Sequence, residues 1–60
     1  GAPAPGSTAA LDRALERGAL TMRGYDRVLR IAWTLADLDG VDRPGLDQIG
    51  RALYLRKAAA

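Results

Sequence analysis

From Met22 to Leu38 the apolar residues return with the period of an α-helix, and this long run limits the fold more than any other feature of the 60-residue chain. At about 100° per residue, Met22, Tyr25, Val28, Leu29, Ala32, Trp33, Leu35 and Ala36 share an arc of roughly 160°. One side of the helix must therefore be buried. On the other side Arg23, Arg27, Arg30 and Thr34 fall within about 60°, forming one basic stripe. Thr21 stands where an N-cap hydroxyl can meet the free first-turn amides, and Gly40 stands where a left-handed residue ends the helix.

The rest of the chain can only supply helices to cover that face. Ser7 or Thr8 can cap a first helix over Thr8 to Arg17, with Leu11 and Leu15 one turn apart and Gly18 as its stop. Asp39 to Gly45 is turn-rich, with Asp42 a turn former or cap, and Pro44 opens a third helix running to Arg56, with Leu46, Ile49 and Leu53 inward. No stretch alternates as a strand does. The expectation is an all-α, three-helix bundle, with room for a short fourth turn. Its core would be Leu11, Leu15, Tyr25, Val28, Leu29, Ala32, Leu35, Leu46, Ile49 and Leu53. Residues 1–7, with two prolines among alanine and glycine, read as a flexible leader or linker; 8–57 form the domain, and 58–60 a frayed tail.

Composition removes whole classes of chemistry. With no cysteine and no histidine, the chain lacks disulfides, a thiol nucleophile, an imidazole base and the usual zinc ligands. Eight of the nine basic residues are arginine, yet the net charge is only +2, too mild to imply nucleic-acid binding by charge alone. Asp37, Asp39 and Asp42 crowd one helix end, but Arg43 and Pro44 break the alternate spacing of a calcium loop, so no metal is expected. There is no membrane span and no signal peptide, which reads as cytoplasmic. The start at Gly1 reads as a portion of a longer protein.

Two readings of the arginine stripe remain open. Arg23 and Arg27 repel one another by a few tenths of a kcal/mol, and Asp26 can pair with Arg23 or Arg30, which would make the stripe an ordinary solvated face. An arginine in the first turn, where the helix dipole disfavours a cation, is better explained by a visiting phosphate or carboxylate. Trp33 sits at the margin of the apolar arc and reads as a core anchor with its indole N–H at the edge.

The run Leu20-Thr21-Met22-Arg23-Gly24-Tyr25-Asp26-Arg27, followed by Thr34-Leu35-Ala36-Asp37-Leu38, resembles the C-terminal domain of magnesium chelatase-like AAA+ ATPases of the ComM/YifB type. Asp47 to Arg56, with Ala52-Leu53-Tyr54 near its end, is similar to that family's last helix. The family's usual serine is Thr21 here, and its commonly basic or small residue is Trp33. The resemblance implies a helical lid beside an AAA+ core in the same chain, within a ring whose neighbouring subunits touch it. It implies ATP and Mg²⁺ for the parent, no cofactor for this chain, no membrane, and nucleic acid only through the parent. The family's sensor-2 arginine matches Arg23; Arg27, Arg30 and Thr34 would support it or face a neighbour. Whether Arg23 serves its own subunit or the next stays open.

The chain itself has no Gly-x-x-x-x-Gly-Lys-Ser/Thr loop and no acidic pair after a strand, so no catalytic residue is assigned and it is expected not to hydrolyse ATP. A different class of function, a free-standing helical DNA-binding or protein-interaction module, would have Arg51, Arg56 and Lys57 touch phosphates, but Gln48 and Arg51, with Asp47 beside them, stand alone on the exposed face of the third helix.

Overall fold

The computed structural model describes residues 1–59 and contains three helices: α1 (Ala9–Glu16), α2 (Met22–Asp39) and α3 (Leu46–Ala59). The expected all-α three-helix bundle is what forms, and no strand occurs among the described residues. α2 is the spine, packed mainly on α3 and more lightly on α1.

The ends of α2 follow its sequence. Thr21 is extended, and its hydroxyl accepts from the Gly24 amide at 3.0 Å; Gly40 closes the helix at φ 73°, a conformation that costs glycine little. α1 starts differently from expectation. Thr8 occupies the N-cap position without a side-chain cap bond, because its hydroxyl donates to Asp12 Oδ2 at 3.3 Å. Ser7 turns inward, donating to the Ala4 carbonyl at 2.6 Å.

That serine belongs to a segment expected to be a flexible leader. The Ala4 amide donates to the Pro44 carbonyl at 2.9 Å, and Ser7 is 3% exposed. Burial of Ser7 and a backbone bond across the chain hold the segment against the α2–α3 loop. Pro44 is itself fully buried, and α3 begins two residues later than expected, at Leu46. Gly45 precedes that helix. Its amide donates to Gln48 Oε1 at 2.9 Å, the return half of a capping box, so Asp42 does not cap it. α3 runs through Ala59, past the expected stop at Arg56; Ala60, the last residue of the expected tail, lies outside the described residues.

The core joins Leu11, Leu20, Val28, Ala32, Leu35, Ile49 and Ala52, with Tyr25, Leu29, Ile31 and Leu53 partly buried against it. The buried arc of α2 is turned by roughly 40° from the apolar arc read in the sequence: Gly24 lies inside it, Met22 is exposed and Trp33 only half-buried. In α3 the expected inward Leu46 is 76% exposed. Ile49 is buried as expected, the small Ala52 takes the place of Leu46 in the core, and Gln48 turns in with them because its amide is satisfied there.

Gly24 marks the close approach. A Cβ at this position would stand 2.9 Å from Leu20 Cδ1, 3.3 Å from Arg56 Nη2 and 3.3 Å from the capping Thr21 Oγ1. Alanine normally gains about 1 kcal/mol over glycine inside a helix. Here displacement of buried Leu20 and of the cap offsets it, and Gly24→Ala is expected to melt no higher than the wild type in a circular-dichroism scan.

Candidate functional site

Arg23, Arg27 and Arg30 lie on the solvent side of α2, opposite the buried arc, and all three are exposed. With Asp26 and Ile31 they border a shallow hollow of about 690 Å³. The ion pairs within the described residues are those of Arg51 alone. The expected pairing of Asp26 with Arg23 or Arg30 therefore does not form, and three guanidinium groups share this face with no carboxylate of the described residues within 4.0 Å. Arg23 occupies the first turn, beside the positive end of the helix dipole. Thr34 is on the same stripe, but its hydroxyl donates to the Arg30 carbonyl at 3.1 Å and is turned back onto the helix. The arrangement suits a multiply charged oxyanion, which guanidinium meets with paired parallel hydrogen bonds.

A second polar cluster lies at the far end of α2. Asp39 Oδ2 accepts from Gln48 Nε2 at 2.9 Å and from Arg51 Nη1 at 2.6 Å, and Arg51 Nη1 also reaches Asp47 Oδ2 at 3.2 Å. Asp39 is thus engaged in tying α2 to α3. The Gln48 amide, then the Arg51 guanidinium, hold its carboxyl below the ordinary value of 3.8. A carboxyl depressed on folding adds stability that is fully present above its unfolded value and is lost as pH falls through its folded one. Acidification through the region below 3.8 is therefore expected to lower Tm. Asp39→Asn should melt lower at neutral pH and show a shallower fall in acid; equal slopes in a pH series of thermal melts would contradict this. The same cluster removes Gln48 as a reader of bases, since it is 8% exposed and both ends of its amide are bonded.

α1 is tied on by Tyr25, whose hydroxyl donates to Asp12 Oδ1 at 2.7 Å. That hydrogen bond, then burial, raises the Tyr25 hydroxyl above its ordinary 10.0. Sequence reasoning missed Gln48 and Asp39 as partners. The signal was present in Gln48 standing three residues after Gly45, the spacing of a capping box.

A small all-α domain, with a basic stripe on its longest helix, is the class these features define. Residues 2–56 match the family described as magnesium chelatase, subunit ChlI C-terminal, and the chain belongs to that family. The matched span includes the segment before α1, in keeping with its packing on Pro44. An uncharacterized protein of Mycobacterium bovis and uncharacterized proteins of two strains of Mycobacterium tuberculosis are each 47% identical to it over 58 residues, covering 97% of this chain. The chain spans 12% of the length of these curated relatives. No solved structure gives a significant match. No helix among the described residues is long and apolar enough to cross a membrane.

Proposed function

We propose that the chain is the C-terminal helical lid of a magnesium chelatase-like AAA+ ATPase of the ComM type, and that Arg23 is its sensor-2 arginine. The observation that carries this reading is the first-turn position of Arg23 on an exposed guanidinium stripe that has no carboxylate partner among the described residues. A guanidinium can bind phosphate oxygens in pairs and can neutralise charge that develops on a transferred phosphoryl group. Gly24 beside it admits the close approach of Leu20 and Arg56 at the start of α2.

ATP would be held and cleaved by the core, and Mg²⁺ would sit on its phosphates; no residue of this chain is assigned to the metal. Arg27 and Arg30, one and two turns further along, face the neighbouring subunit of a ring or the outer edge of the nucleotide. The family membership supports a lid beside an AAA+ core in the same polypeptide. Arginine-directed modification with phenylglyoxal, read by mass spectrometry in the full-length ATPase, tests the contact. Bound nucleotide should shield Arg23 more than Arg30, whereas equal labelling of Arg23 with and without nucleotide would sink the assignment.

A further inference from the structure

We propose that the outer face of α3, formed by Leu46, Gly50 and Tyr54, docks the domain onto the ATPase core of the same polypeptide, with Gly50 as the notch that receives an apolar side chain. This rests on the reading of the chain as the lid of a longer AAA+ protein.

Gly50 is the starting point. It stands inside α3, where glycine weakens a helix, and a Cβ built on it would meet nothing within 4 Å. Nothing inside the domain therefore requires a glycine there, in contrast to Gly24, which Leu20, Arg56 and Thr21 crowd. One turn to either side stand Leu46 and Tyr54, 76% and 73% exposed. Together with Leu55, Asp47 and Arg51 they line a hollow of about 550 Å³. Its charged rim is held in place by the Arg51 bonds to Asp39 and Asp47. A glycine between two exposed large side chains is the form of a socket for a facing knob.

The extent of the surface favours an occupant from the same polypeptide. A stable dimer buries about 800 Å² on each partner, roughly a fifth of the 4159 Å² this chain exposes, and the hollow offers only a few apolar side chains. A covalently joined partner needs far less, because linkage supplies a high effective concentration. In the mycobacterial relatives the matched segment is 12% of the protein, so most of the chain lies outside it and can cover such a face. Packing a leucine- or phenylalanine-sized knob over Gly50 would bury Leu46 and Tyr54 together.

The test uses hydroxyl-radical footprinting of Tyr54 in the 60-residue chain and in the full-length ATPase. Tyr54 should be modified at least ten-fold more slowly in the long polypeptide, independently of protein concentration. Gly50→Leu, which fills the notch, should restore its reactivity. Gly50→Ala in the 60-residue chain should raise Tm by several degrees, since it gains helix propensity without a clash. The proposal is overturned if Tyr54 reacts equally in both proteins, if Gly50→Leu leaves the protection intact, or if the short chain becomes protected on concentration, which would make a second copy the occupant. ATP turnover separates the two readings. Protected Tyr54 with full turnover in Arg23→Ala upholds the docking and sinks the sensor-2 role; free Tyr54 with impaired Arg23→Ala does the reverse.

Discussion

Leu11→Ala is expected to unfold most of the domain at room temperature. Leu11 is 1% exposed and is the one fully buried residue of α1, so it is the main anchor of the helix, with Ala14 only partly buried against the core beside it. Truncating a buried leucine costs about 2 to 5 kcal/mol, while a core in a chain this small rarely supplies more than about 3 to 5 kcal/mol in total. The hydrogen bond from Tyr25 to Asp12 is exposed and worth about 1 kcal/mol, and neither it nor the partly buried Ala14 replaces the lost leucine. Far-ultraviolet circular dichroism should show loss of helix and of the cooperative melt. Leu46→Ala, at a side chain 76% exposed, should stay within about 0.5 kcal/mol of the parent. Reversal of this order would overturn the core assignment.

If Arg23 is the sensor-2 arginine of an ATPase, as proposed, Arg23→Ala should reduce kcat of the full-length protein by roughly 10- to 1000-fold, the range expected when one charge-stabilising donor is removed from a developing oxyanion. The domain itself should be unaffected in stability. Arg23 is exposed and has no ion-pair partner among the described residues, and such positions are usually worth within about 0.5 kcal/mol. Arg27→Ala and Arg30→Ala remove the same single charge from the same exposed stripe, so they serve as controls and should lose less activity. Arg23→Lys should recover only part of the rate, because an ammonium group lacks the planar fork of donors. Three equally mild variants would mean that the stripe is only a solvated face.

The helices and their order were legible in the sequence because their signals are local: the period of α2, the Thr21 cap, and glycines at 18 and 40 that reach φ 77° and 73°. The errors arose where long-range packing decides. Leu46 looked inward by spacing from Ile49 and Leu53, but the buried face of Gln48, Ile49 and Ala52 is centred about 80° from the face those three share, and Gln48 can turn in because Gly45 and Asp39 satisfy its amide. The segment before α1 looked too poor in apolar surface to order itself. It is held by the Pro44 carbonyl, a partner some forty residues distant. At the candidate site the stripe of Arg23, Arg27 and Arg30 could be placed from periodicity alone. That Asp26 leaves it unpaired could not, since an i, i+4 neighbour on a helix can swing either towards a partner or into water.

The most direct test is single-turnover hydrolysis of pre-bound ATP by the full-length protein with and without Arg23→Ala, which separates chemistry from binding and product release. A role for Arg23 on the phosphoryl group predicts a rate at least 10-fold slower in the variant with nucleotide affinity changed by only a few-fold. An unchanged single-turnover rate would contradict the account.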